Sequence, residues 1–579
     1  MKRMLQIPMS FGFLCLLLGL TGARVVTPAQ GATLPGTASL SGTVSSPKAF
    51  KAAQVYIRNL DKRMLYMVYT SGGRYQAVNL FPGNYQITVV AKGLESDMAK
   101  LTLEAGQNAK VNLSLQDTSK DPSRRPEVEY LSFDEIYPPG PGLAVAQRTC
   151  ISCHGASFLP SKRWSAGQWN AAIDMMTAGE DSQGAQIQPK DMNEQDRAAL
   201  VDYLAKNFGP DSRNRAVKVD IEMPVDEAKI SKAMYIEYYL LPDAPGQGSN
   251  APEYNRLPGI FSKRRVGQDV RFDSEGNVWL TDRGYPHRLA KLNPRTGEIK
   301  DYLMYDPTGG THDLNIDKEG IVWVPEHSGT KPGEPKHLNG FNPKTEKWEL
   351  RYPLDPDNVL PFRQKWTQSL AIDSKGNIYV GWISGSGLSR WDRETKKTTV
   401  YPLPTPFGSA YGVIADKNDN IWVAEWHASK FAKLDTKTFK WTEYTPPTHP
   451  GIIRRLNVDS KNNIWVALFS SGKLVKLDQT TDKMTEYLIP HQNSQPYDVA
   501  EYAGNIWIAD AGQGGTLIKF NSQDQTFTYY PSPQRADKPK IQITREGAVW
   551  YSPRSSVDYP GFGVLYPDMD KMTTLAARY

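Results

Sequence analysis

One hairpin pattern, repeated down the C-terminal half of the chain, limits the fold more than any other feature. The stretch from Thr311 to His327, THDLNIDKEGIVWVPEH, reads as two short antiparallel strands joined by a KEG turn. Apolar and polar residues alternate in it, as a half-buried strand pair requires. The pattern returns as QDVRFDSEGNVWLTD, QSLAIDSKGNIYVGW, YGVIADKNDNIWVAE, RRLNVDSKNNIWVAL, YDVAEYAGNIWIAD and KIQITREGAVWYSP. Its anchoring aromatics are Trp279, Trp323, Tyr379, Trp422, Trp465, Trp507 and Trp550. Five of the six gaps between them are 42 to 44 residues, and the gap from Trp323 to Tyr379 is 56. A strand such as KFAKLD, a turn and a strand such as KWTEYTPP follow each hairpin. Four strands per period of this length make a β-propeller blade, so the seven copies in residues 256–579 predict a seven-bladed β-propeller.

The rest of the 579 residues leave room for further domains. Lys2 and Arg3, the apolar run FGFLCLLLGL and small residues ending in TGA give residues 1–23 the pattern of a secretory signal peptide. No later run is long enough to span a bilayer. The expectation is an exported protein of a bacterial periplasm, with no stable membrane span once the leader is removed. The net charge of +6 is small for this length and contains no basic block, which argues against a nucleic-acid partner.

Residues 35–116 carry seven short strand candidates separated by Gly, Pro and Asn. GTV followed by GRYQAVNLFPGNYQITVVAKG resembles the carboxypeptidase regulatory-like β-sandwich. Residues 117–142 read as a polar, Pro-rich linker.

Of three cysteines, Cys15 lies in the leader, while Cys150 and Cys153 stand in CISCH. Two thiols at this spacing suit covalent attachment of one haem c, and His154 follows as an iron ligand. For the sixth ligand, RWSAGQWNAAIDMMTAG places Trp169, Ile173 and Met176 on one helical face. Met192 is the alternative. This stretch resembles the methionine-bearing helix of class I c-type cytochromes, which implies a small α-helical cytochrome c domain over residues 143–210. His/Met ligation raises the potential of a haem, so such a domain passes or accepts electrons.

Residues 211–255 include KISKAMYIEYYLLP, which resembles an outer blade strand. Either this strand or the C-terminal VLYPDMDKMTTLAARY completes the last blade. The overall expectation is a multidomain, mainly β chain: a β-sandwich, a small α-helical cytochrome c domain and a seven-bladed β-propeller.

Two positions per repeat are expected at one mouth of the ring. Eleven residues before the anchoring aromatic, or ten in the last two repeats, stand Gln268, His312, Gln368, Tyr411, Arg454, Tyr497 and Lys540. Three residues after it stand Asp282, Glu326, Trp382, Glu425, Leu468, Asp510 and Pro553. Candidate catalytic residues are His312, Glu326, Tyr411, Glu425 and His427, because an imidazole transfers protons near neutral pH and a carboxylate orients it or holds a cation. Arg454, Arg455, Asp282 and Asp510 are candidate substrate contacts. Glu326 is also a candidate ligand for Mg²⁺, and oxygen-rich groups here suit Mg²⁺ or Ca²⁺. His287, His337, His449 and His491 are expected to face solvent.

The repeats resemble the virginiamycin B lyase family of seven-bladed propellers. That family opens a cyclic depsipeptide by elimination, with a histidine as base or acid and carboxylates on Mg²⁺. The resemblance places His312 on the histidine and Glu326 on the second carboxylate. Gly310 stands where the first glutamate belongs, and Gln268 where a further histidine belongs. The leading expectation is electron transfer coupled to binding or oxidation of a small organic substrate in the funnel, delivered to a periplasmic electron-transfer partner. The alternatives are a Mg-dependent lyase-like enzyme with an accessory cytochrome domain, and a non-catalytic electron-transfer and docking protein.

Overall fold

The computed structural model describes residues 33–118, 128–177, 192–218, 223–245, 265–327, 334–360, 365–512, 515–554 and 559–579. The expected leader, residues 1–23, lies outside them, as does the Cys153 side chain.

Six repeats form separate four-stranded antiparallel sheets, spanning 267–303, 315–353, 367–402, 410–444, 453–488 and 496–530. A local device explains the repeat. An aspartate opens the first turn, and one of its oxygens accepts backbone N–H groups two and four residues on, as Asp416 does from Asn418 and Asn420 at 2.8 and 3.0 Å. Its other oxygen accepts the indole N–H of the anchoring tryptophan six residues on. The distance is 2.9 Å for Asp273–Trp279, 2.8 Å for Asp317–Trp323, and 2.9 Å for both Asp416–Trp422 and Asp459–Trp465. The aspartate thus closes the turn and satisfies the one polar atom of a buried ring.

The expectation of seven blades is corrected to six. In the seventh repeat, Ile541–Ile543, Val549–Tyr551 and Gly561–Tyr566 pair in order, but no fourth strand ends the sheet. Met234–Tyr239 pairs with Gly561–Tyr566 along one edge and with Met64–Tyr69 of the N-terminal domain along the other. The repeat therefore runs into a 13-stranded sheet shared with that domain. All six residues of Met234–Tyr239 are buried, as expected of a strand covered on both faces. This settles the closure in favour of the strand ahead of the propeller. The aspartate of the turn is here Thr544, and Trp550 Nε1 has no partner among the described residues. Glu237, buried on the seam, accepts from Tyr551 Oη at 2.9 Å and Gln534 Nε2 at 2.8 Å.

The N-terminal domain is a β-sandwich whose strands alternate inward and outward, as Gln54–Asn59 does. The described residues of 128–218 form a small helical module. Its core joins Ile136, Val145, Trp169, Ile173, Met192, Leu200, Leu204 and Phe208. The helix Ala166–Met176 starts from a reciprocal Ser165–Gln168 cap, and Glu194–Asn207 from Asn193. The turn before Leu143 crosses the last helix closely: a Cβ on Gly142 would lie 2.4 Å from the Ala199 carbonyl oxygen. No described helix is long and apolar enough to cross a membrane.

Candidate functional site at the propeller mouth

The inner strands Gly267–Phe272, Thr367–Ile372, Ala410–Ala415 and Ile453–Val458 each shift register after their first residue. Such a bulge breaks strict alternation and lets successive residues turn toward the same side. Arg454 and Arg455 accordingly both reach the axis.

Buried His312 is the hinge of the polar cluster there. Its Nδ1 donates to Asp313 Oδ1 at 2.7 Å, which leaves Nε2 as an acceptor for the Gln368 amide, also at 2.7 Å. Burial holds the His312 imidazole well below the usual range despite the opposing charge of Asp313, so the ring is neutral. Asp313 in turn receives Arg455 through two bonds of 2.9 Å and Lys540 at 3.0 Å. Lys540 also reaches Asp269 at 3.3 Å. Arg455 and Lys540 of this network also line a cavity of about 250 Å³, together with Arg271, Asn315, Asn457, Asp498 and Gln542 among others.

His327 lies beside His312, with ring centroids 5.0 Å apart. Its Nδ1 donates to the Thr367 carbonyl, and its Nε2 faces Arg283 at 3.3 Å. Burial and the nearby Arg283 charge keep this imidazole neutral as well. Arg283 and Arg554 both donate to Gln268 Oε1, at 3.4 and 3.1 Å.

Tyr411 and Tyr497 meet hydroxyl to hydroxyl, and Arg454 donates to them at 3.2 and 2.9 Å. Arg454 also lies 4.2 Å from the Phe469 ring centre, 4.5 Å from that of Tyr497 and 5.2 Å from that of Trp426. Burial pushes the Tyr411 phenol up to about 12. Burial acts the same way on Tyr497, but Arg454, Arg554 and Arg455 outweigh it and lower that phenol. Buried polar atoms without a protein partner among the described residues include Gln268 Nε2, Gln368 Oε1, Trp366 Nε1 and Trp426 Nε1.

The expected second ring is not part of this cluster. Glu326 turns into its own blade, accepting from Arg351 at 2.6 Å, His337 Nδ1 at 3.1 Å and Asn339 at 3.4 Å. Asp282 is paired with Arg265 and caps Val266 and Gly284. Asp510 is held by Ser494, Gln495 N and His491. Glu425 is buried near Glu443, and burial followed by that charge pushes its carboxyl up to about 8. His427 lies just past the same strand, its backbone N–H bonded to Gly408.

The mouth is instead completed one residue later, four after the aromatic, by Arg283, His327, Ile383, Trp426, Phe469, Ala511 and Arg554. One step along a strand exchanges its faces, so an offset read as three rather than four selects the blade interior. Arg283, His327 and Arg554 are thus residues that the repeat offered and the assumed offset passed over. Asp313 was legible only as the neighbour of His312. Two of the four loop histidines depart from expectation: His287 and His491 are buried, while His337 is half-buried and His449 exposed.

The CISCH turn lies against this mouth. Ser152–His154 packs on the propeller turn Phe469–Ser471. Gly155 abuts Gln495 so closely that a Cβ would fall 2.2 Å from its Nε2. The charged groups acting on the His154 ring include Arg454, Lys162, Arg554 and Asp537. The ring itself stacks on Phe158 at 4.2 Å. Cys150 is half-buried one helical turn before His154. Met176 is half-buried at the end of its helix, whereas Met192 belongs to the module's core.

The carboxypeptidase regulatory-like domain family matches residues 39–116. Those residues form a carboxypeptidase regulatory-like domain. No curated protein matches the chain. Among solved structures, a streptogramin B lyase is similar at 18% identity and a TM-score of 0.47, covering 58% of this chain and 97% of that one. Selenomethionine-substituted virginiamycin B lyase from Staphylococcus aureus is similar at 18% identity and a TM-score of 0.45, covering 52% of this chain and 94% of that one. The regulatory-like domain meets the propeller through the shared sheet, at Met64–Tyr69.

Proposed function

We propose that the chain is an exported mono-haem c-type electron-transfer protein whose propeller mouth binds a small organic substrate and draws electrons from it. One observation carries this reading: the CISCH turn packs on the same mouth that gathers His312, His327, Tyr411, Tyr497 and Arg454. The donor set fits haem c in its chemistry, since the motif supplies two thiols and an imidazole within five residues. Cys150 and Cys153 would hold the group covalently, with His154 and Met176 on the iron. A haem bound there supplies one-electron chemistry.

The protein's own groups would supply the rest. Neutral His312, its Nδ1–H fixed by Asp313, presents Nε2 to accept a proton from a substrate that displaces the Gln368 amide. The partnerless atoms of Gln268, Gln368, Trp366 and Trp426 are suited to orienting a polar ligand. Arg455 is committed to Asp313 and holds the dyad rather than the substrate. A divalent cation at Glu326 is not part of this reading, because Arg351, His337 and Asn339 take its oxygens.

Expression of the full chain in a host that matures c-type cytochromes tests the assignment. The expected result is one covalently attached haem per chain, lost in the Cys150→Ala, Cys153→Ala double variant. In Met176→Ala, loss of a sulfur ligand should change the visible spectrum. A purified chain without covalent haem would overturn the proposal.

A further inference from the structure

We infer that Arg454 and Arg554 of the propeller form an electropositive wall of the haem site and raise the potential of the group bound at His154. This rests on the haem reading above and extends it, because it assigns part of the haem site to a different domain. The Ser152–His154 turn is seated on Phe469–Ser471, and Gly155 on Gln495, so the His154 side of the module faces the propeller. Arg454 lies 4.2 Å from the ring centre of Phe469 in that turn, and Arg554 lies 5.2 Å from that of Tyr497, two residues from Gln495.

Both arginines are also fixed in place. Arg454 donates to the hydroxyls of Tyr411 and Tyr497 and is sandwiched by Phe469 and Tyr497. Arg554 is tied to Asp537 and to Gln268, and lies 5.2 Å from the Tyr497 ring centre. A guanidinium stays charged at all working pH values, so its field on the iron site is permanent. Fixed positive charge in a poorly hydrated site favours the state with one more electron. Arg554 is paired with Asp537, which offsets part of its field.

The design would give the propeller control over electron flow. A substrate at the mouth would meet an acceptor held in its reduced-favouring range only while the two domains are docked.

The experiment is spectroelectrochemical titration of the haem-loaded full chain. Arg454→Gln should lower the ratio of reduced to oxidised haem several-fold at a fixed poise, a tenfold change being 59 mV for one electron. Arg554→Gln should lower it as well. Arg454→Lys should retain most of the wild-type value. Arg545→Gln, an exposed arginine paired only locally with Glu546, serves as the control and should leave it unchanged. If Arg454→Gln does not fold, Arg454→Lys and Arg554→Gln are read against each other. Equal midpoints in wild type, Arg454→Gln and Arg554→Gln, at equal haem content, would overturn this inference alone. A wild-type chain without covalent haem would overturn it together with the reading beneath it.

Discussion

Arg455 and Asp313 face each other across the axis of the ring through two parallel bonds, each 2.9 Å long. They come from repeats far apart in the chain, so the pair can form only after the ring has closed. The same carboxylate holds the Nδ1 proton of His312. One group therefore ties the closure of the propeller to the tautomer of its central histidine.

Replacing Asp313 should reveal both roles. Asp313→Ala leaves Arg455 buried without this carboxylate and Lys540 with its longer contact to Asp269, a loss of about 3–5 kcal/mol for a broken buried pair. Asp313→Asn keeps the shape and should cost less, yet it weakens the hold on the His312 proton. Denaturant unfolding measures the first effect, and the pH profile of substrate-dependent activity the second. Equal stability of all three proteins would contradict this account of the axial network.

The turn aspartates offer a cleaner structural test. Asp416→Ala removes the acceptor for the Trp422 indole and for two backbone N–H groups. Burying an unsatisfied donor costs about 1–3 kcal/mol. The converse change is informative too: Thr544→Asp would give the Trp550 indole the acceptor that it lacks among the described residues, and should stabilise the seventh repeat. Thermal melts of both variants check the pair of expectations.

Glu425 has an internal control. In its blade Thr405, Lys430 and Glu443 form a cluster, with Lys430 2.9 Å from Glu443. One blade on, Thr448, Lys473 and Glu486 form the same cluster with the same 2.9 Å pair, but the position of Glu425 is taken by Leu468. The folded-state carboxyl of Glu425 is pushed up to about 8 by burial and by Glu443. Its contribution to stability is thus fully present below the ordinary glutamate range and is lost as pH rises through about 8. Glu425→Leu should remove that part of the pH dependence and raise the melting temperature at pH 8 more than at pH 5. A variant that is destabilised equally at both would contradict the assignment.

The shared sheet predicts that the two β-domains unfold together. Ile236→Pro removes a ladder N–H from the strand that joins Met64–Tyr69 to Gly561–Tyr566. It should destabilise both domains, and limited proteolysis should then cut within both. Cleavage within that domain alone would argue against coupling.

How much of this was legible in the letters depends on the range of the interaction. The Asp–Trp spacing is local, so the hairpins and their aromatics stand where the repeat puts them. The CISCH motif is local as well. The number of blades was not legible, because the fate of the seventh repeat depends on Met234–Tyr239, hundreds of residues away in sequence, and on an edge offered by another domain. The mouth was half legible. Positions such as His312, Tyr411 and Arg454 converge because each stands at the entry of its blade's inner strand. Glu326 and Asp282 turn into the blade because a single step reverses a strand's faces, and the letters alone do not fix that parity at a strand end. The seating of the helical module on the mouth left no pattern at all, since it rests on shape around Gly155, Gln495 and Phe469.

The central claim is that the mouth and the CISCH turn work as one redox unit. Oxidised, haem-loaded protein mixed anaerobically with a panel of small organic substrates, while the haem spectrum is followed, tests it most directly. The account predicts that at least one substrate reduces the haem in the wild type, and that His312→Ala binds the same haem yet stays oxidised. Product formed with the haem still oxidised, or reduction that persists in His312→Ala, would contradict it.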